Sequence, residues 1–239
     1  MRSALLLALV ACSHGASHAP LTGTADTAFP PRATPAPSIE WTSSRFEWHG
    51  LPAIARDRSI AVVPLVDNDS ARGYPNLRIE VKSRDDHTLE GTDVLIANDF
   101  EQLVMDDKPV PELAGRITAM NKKLGDLHRE HDLVPMQAAS HSGDPLDETP
   151  PVFHTKYAQV KYDHGALHVT LANRSFDVDG TRWKAPTGKR CPACDPCANP
   201  EFVREVYAAD DVDALIVDIG YRGTDSCWEP GDQLHVITW

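Results

Sequence analysis

Ser59 to Val66 reads SIAVVPLV, and Leu77 to Lys82 reads LRIEVK. The first stretch is apolar and β-branched on both alternating sets of positions, the composition of a strand covered on its two faces. Pro64 lacks an amide hydrogen, so the strand needs a bulge or an open edge there. In the second stretch Leu77, Ile79 and Val81 alternate with Arg78, Glu80 and Lys82, the period of a strand with one wet face. The intervening Asp67 to Asn76, DNDSARGYPN, is loop chemistry.

Asp93 to Ala97 (DVLIA) adds a third strand. Leu113, Ile117, Met120, Leu124 and Leu127 then recur at spacings of four and three, one apolar stripe of a helix from Pro111 to about His131. Pro111 suits the first turn, and Lys122, Lys123, Asp126, Arg129 and Glu130 take the other face. Gln137 to Pro151 reads as a linker-like loop. Strands resume at Tyr157 to Tyr162 and, after the turn Asp163-His164-Gly165, at Leu167, Val169 and Leu171. Asp179-Gly180 signals a tight turn between Phe176/Val178 and Trp183. Pro200 to Tyr207 is read as a short helix, and Ala214 to Ile219 and Leu234 to Trp239 as closing strands. The predicted fold class is α+β: mainly antiparallel β hairpins and sheet packed with one long amphipathic helix.

Ala55 to Val63 (ARDRSIAVV) parallels Ala208 to Ile216 (AADDVDALI), and each is followed by a further strand. With its preceding residues the first copy, AIARDRSIAVV, resembles the opening of Tol-associated β-propeller repeats. A propeller ring needs several blades and one copy matches, so the echo is read as a recurring hairpin device.

The amino terminus has a different character. Arg2 is followed by the apolar run Ala4 to Ala11, ALLLALVA, too short to span a bilayer but laid out as a secretory signal. Leu9-Val10-Ala11-Cys12 resembles the lipobox of bacterial lipoprotein precursors, a resemblance confined to these residues and the signal layout. It implies cleavage before Cys12 and acylation of that cysteine, with enough buried acyl chain for stable anchoring. Ser13 stands where an Asp retains some lipoproteins in the inner membrane, which points to the outer membrane or another extracytoplasmic membrane surface. From Ser13 to Ser38 the chain is rich in Ala, Pro, Thr and Ser, with too little apolar surface to offset the entropy of ordering. The expected organisation is a signal over 1–11, a lipidated Cys12 and tether over 12–38, and a single globular domain over 39–239.

The chain has 239 residues, 35 acidic and 23 basic, for a net charge of −12. That balance argues against a nucleic-acid partner, because phosphate binding needs a basic footprint. The implied partners are the membrane, through the anchor, and a protein of the envelope.

Four cysteines remain beyond Cys12: Cys191, Cys194, Cys197 and Cys227. In an oxidising compartment an even number predicts disulfides. All three possible pairings contain one bond within Cys191–Cys197 and one from that cluster to Cys227, so the loop is cinched and then stapled to the Asp225–Pro230 turn. Two alternatives stay open. The C-x2-C-x2-C spacing with a distant fourth cysteine also suits zinc or an iron–sulfur cluster. Cys194-Asp195-Pro196-Cys197 resembles the C-x-P-C motif of thioredoxins, which implies thiol exchange, although Ala193 replaces the usual Trp and too few residues follow to complete that fold.

Other constellations are weaker. His128 and His131 sit three apart on the predicted helix, and His164 and His168 flank a turn. Asp67-Asn68-Asp69 and Ser175, Asp177, Asp179, Gly180 each match part of a calcium loop without completing it. No nucleophile elbow or phosphate loop is present. No catalytic residue, metal ligand or cofactor is therefore nominated, and the expected activity is non-catalytic binding or structural support at the cell envelope. The alternative is a thiol-redox or metal protein using the cysteine cluster.

Overall fold

The computed structural model describes residues 34–42, 45–66, 76–143, 150–163, 165–183, 201–221 and 232–239. In chain order the strands are β1 (Ser38–Thr42), β2 (Arg45–His49), β3 (Ala53–Ala55), β4 (Ile60–Leu65), β5 (Leu77–Ser83) and β6 (Thr88–Leu95), then the short β7 (Val104–Met105) and β8 (Lys108–Pro109). They continue with β9 (Leu133–Pro135), β10 (Gln137–Ala138), β11 (Ser140–Ser142), β12 (Val152–His154), β13 (Ala158–Asp163), β14 (Ala166–Leu171) and β15 (Ser175–Asp179). The last three are β16 (Glu201–Ala209), β17 (Val212–Tyr221) and β18 (Gln233–Thr238). Helix α1 is Phe100–Leu103 and α2 is Pro111–His131. Every strand pairing among the described residues is antiparallel. The class is α+β with β predominant.

Three sheets stack through two apolar cores, and a third core lies under α2 and the β1–β2 hairpin. The amino-terminal sheet runs β6-β5-β4-β3-β9, the central sheet β10-β16-β17-β18, and the third sheet is the meander β11-β12-β13-β14-β15. The double-faced pattern of β4 has its cause here. Ile60 and Val62 enter a core shared with α2 and the β1–β2 hairpin, while Ala61 and Val63 enter the core against the central sheet. Strand β17 is likewise covered twice: Ala214 and Ile216 face the amino-terminal sheet, and Leu215, Val217 and Ile219 face the third sheet. A strand in the middle layer has no wet side, so its apolar residues do not alternate. Pro64 is tolerated because β3 pairs only with Ala61 and Val62 of β4, leaving the proline beyond the end of that ladder.

Helix α2 buries Leu113, Met120 and Leu124 in the first core, with Ile117 and Leu127 packed against it. Pro111 opens the helix, and Asp132 ends it in the left-handed conformation at φ 48°. His128, Arg129 and His131 in the last turn suit the negative end of the helix dipole. The amide side chain of Asn121 ties α2 to β1, donating to the Ile39 carbonyl (2.9 Å) and accepting from the Ile39 amide (2.8 Å).

Several sequence expectations are corrected. Glu201–Ala209 is strand β16, where Pro200–Tyr207 reads as a helix. Its backbone pairs with β17 from Glu201↔Tyr221 to Ala209↔Val212, and that ladder overrides local propensity. Gln137–Ser142 forms β10 and β11, not a loop; these are short strands with exposed side chains, so hydrophobic alternation is lacking. The strand expected at Asp93–Ala97 is instead the end of β6, with Ala97 already in a 3-10 turn. Asp179-Gly180 does not open a hairpin to Trp183; Thr181–Trp183 is a 3-10 turn.

The repeated sequence becomes a repeated structure. Strands β3, β4 and β5 and strands β16, β17 and β18 are both antiparallel meanders, and they face each other across one core. Their echoing turns lie side by side: Arg56 pairs with Asp211 and, at 2.8 Å, with Asp132, while Arg58 donates to the Trp239 carbonyl at 2.7 Å.

Candidate functional site

Cys12 and the four cysteines Cys191, Cys194, Cys197 and Cys227 lie outside the described residues, as do the signal, most of the tether, Asp67 to Pro75 and His164. The described residues contain two buried ionisable clusters and shallow surface depressions.

The first cluster begins at the β5–β6 turn, where Asp86 adopts φ 66°. The Ser83 amide donates to the His87 carbonyl at 2.8 Å and the Asp86 amide to the Ser83 carbonyl at 3.0 Å, closing the turn. That conformation aims the Asp86 carboxylate at β18. Its Oδ1 accepts from Lys82 Nζ and from the Val236 amide, both at 2.9 Å, and its Oδ2 lies 2.6 Å from His235 Nδ1. Lys82 Nζ also donates to the Leu234 carbonyl. The His235 ring stacks on fully buried Trp183 with centroids 4.9 Å apart, and the Tyr221 hydroxyl donates to the Trp183 carbonyl at 2.8 Å. Burial by itself would raise the Asp86 carboxyl; the hydrogen bond and charge of His235, the charge of Lys82 and the Val236 amide outweigh it and hold the group at about 2. An Asp–His couple can orient an imidazole for proton transfer. Here its partners also include backbone groups of β18, so the cluster satisfies the outer edge of the central sheet and fastens it to the amino-terminal sheet.

The second cluster is the cross-strand pair Glu205 and Asp218. Asp218 is buried, and Asp218 Oδ1 and Glu205 Oε1 have no hydrogen-bond partner among the described residues. Arg204, at the β-bulge beside Glu205, pairs with Asp232 instead.

The surface carries a 420 Å³ depression lined by Arg45, Phe46, Trp48, His49 and Val66, among others. A neighbouring 260 Å³ depression shares Val66 and Asn76 and reaches Asp232. The first falls at the small end of ligand-pocket sizes, roughly 300–1,000 Å³.

Of the histidine candidates, His128 has its Nδ1 buried without a hydrogen-bond partner among the described residues. His128 and His131 stay on α2, and His131 Nε2 lies 3.8 Å from Glu130. His168 and Asp177 are cross-strand partners on an exposed face, 2.7 Å apart. Asp179 Oδ1 accepts from the Thr181 amide at 2.9 Å, which is turn chemistry. Among the described residues no group of three or more His, Cys, Asp or Glu is placed to hold a metal ion.

Sequence reasoning missed both buried clusters. Asp86 and His235 are 149 residues apart and no local pattern joins them. Asp218 did leave a signal: it is one acid inside the apolar run Ala214 to Ile219, on a strand whose burial makes any charge costly.

No family model matches the chain, and no curated protein or solved structure matches it.

Proposed function

We propose that this chain is an exported, lipid-anchored protein of the cell envelope whose domain over 39–239 is a non-catalytic binding or structural module. It is held on the outer membrane or another extracytoplasmic membrane surface through acylated Cys12. The observation that carries the reading is the arrangement of Arg2, the apolar run Ala4 to Ala11 and the lipobox-like Leu9-Val10-Ala11-Cys12. The engagement of Asp86, Lys82 and His235 with the β18 backbone supports a structural use of buried charge. In this reading the amphipathic helix braces the sheet, and Cys191, Cys194, Cys197 and Cys227 are oxidised in two disulfides that brace the carboxyl-terminal half.

Mass spectrometry of the mature protein, before and after reduction, tests the proposal. The expected result is an amino-terminal acylated Cys12 and a gain of two hydrogens per bond on reduction. An intact precursor in the cytosol, with all four remaining thiols free, overturns it. The C-x2-C-x2-C spacing favours one competing reading, a metal site, which native mass spectrometry would show as bound zinc or an iron–sulfur cluster lost on acidification.

A further inference from the structure

Two acids oppose each other inside the sheet stack. Glu205 of β16 and Asp218 of β17 are direct cross-strand partners, which places their side chains on one face with β-carbons roughly 5 Å apart. That face looks toward the amino-terminal sheet, because Ile216, two residues before Asp218, enters the core shared with β4. Asp218 is only 9% exposed. Its Oδ1 and Glu205 Oε1 are each buried without a donor. Two anions in this position are unfavourable twice over, through mutual repulsion and through lone pairs removed from water. A single proton on Asp218 removes the repulsion and one of the two charges.

We propose that Glu205 and Asp218 hold one proton between them and act as a pH-sensitive latch on the β16–β17 ladder of the central sheet. In the closed state the Asp218 carboxyl carries the proton and Glu205 is the one charge of the pair; in the open state that proton has passed to solvent and both groups are charged.

The surroundings suit this assignment. On β16, Arg204 is engaged by Asp232, which precedes β18, and Tyr207 contributes a phenol. From β11, the charge of His141 acts on Glu205. The amino-terminal sheet brings Val63, Leu65 and Val134 to the same core, and its buried Lys82 reaches the carbonyl of Leu234, the β18 partner of Asp218. Burial pushes the Asp218 carboxyl up to about 7, Asp232 and Glu205 push the same way, and Arg204 opposes them. Burial raises Glu205 as well.

Between about pH 4, where a free Asp ionises, and pH 7, the folded chain keeps a proton that the unfolded chain has lost. Stability therefore falls as pH rises through this window, by up to about tenfold in the folding equilibrium constant per pH unit. Above the window, repulsion across β16 and β17 loosens the ladder at the bulge between Val203 and Glu205.

The test combines carboxyl-carbon NMR titration of the whole chain with chemical denaturation of wild type, Asp218→Asn and Glu205→Gln from pH 4 to 8. The expected midpoint for Asp218 is near 7. Asp218→Asn, which carries no proton to lose, is expected to flatten the stability profile and exceed wild type at least tenfold in the folding constant at pH 8. A midpoint near 4, or an unchanged slope in Asp218→Asn, overturns the proposal. So does saturable stabilisation by sodium or calcium that both substitutions abolish, because a cation then fills the place given to the proton. Should the variants not fold, the wild-type titration decides alone.

Discussion

Asp86 shows how one left-handed turn residue can hold two sheets together. Its carboxylate meets a lysine, a histidine and a backbone amide, and the side chains of all three ionisable residues are 10% exposed or less. Removing one member strands the charges of the others, a situation that typically costs about 3–5 kcal/mol. Asp86→Ala is accordingly expected to lower unfolding stability by about 3 kcal/mol in urea titrations at pH 7. The pH sign is opposite to that of Asp218. Because the folded Asp86 carboxyl is held at about 2, its stabilisation is complete above the ordinary carboxylate range and is lost as pH falls from about 4 toward 2. Wild type should lose stability steeply in that interval and Asp86→Ala less so. Gly180 is a second residue with a narrow role: its amide donates to the Gly165 carbonyl at 2.8 Å, and a β-carbon there would sit 2.8 Å from that same oxygen and from the Tyr162 ring. Gly180→Ala should destabilise by about 1–3 kcal/mol through overpacking, read as a lower denaturation midpoint.

Among the elements, α2 and β16 are instructive opposites. The positions of Leu113, Ile117, Met120, Leu124 and Leu127 are visible in the sequence because each returns to the same side of the helix after three or four residues, and all five meet the first core. Leu124 is fully buried there, and Leu124→Ala is expected to cost about 2–5 kcal/mol in thermal or chemical unfolding, through lost transfer energy and the cavity left behind. Strand β16 hides its identity. A proline before it suits a helix start, while its strand character comes from β17, whose residues supply the hydrogen-bond partners. Strands β10 and β11 escape for a related reason: their side chains are exposed, so there is no buried face to write a period into the sequence.

Across the whole molecule, stacking three sheets creates a middle layer whose strands are covered on both sides. Ile216 sits in that layer, fully buried in the core between the two repeated meanders. Ile216→Ala should destabilise both sheets together, by about 2–5 kcal/mol, and hydrogen exchange should rise in β4 as well as in β17. Exchange confined to β17 would show that the two meanders open independently. The interface also explains the repeated sequence, since turns of similar composition meet at one end of the stack, where Arg56 and Arg58 reach carboxylates and the carboxyl-terminal backbone.

By itself the sequence determined which segments are apolar and with what period, and hence the strands around SIAVVPLV, the α2 stripe and the acidic net charge. These are local properties, set by how side chains alternate along a strand or return around a helix. Only the tertiary structure decided that Lys82, Asp86 and His235 form one cluster, that Glu205 opposes Asp218, and that the two similar hairpins face each other. Those contacts depend on strand register and layer order across as many as 181 residues. Register is fixed by which faces are buried together, a choice made when sheets pack and not written in any one stretch of chain.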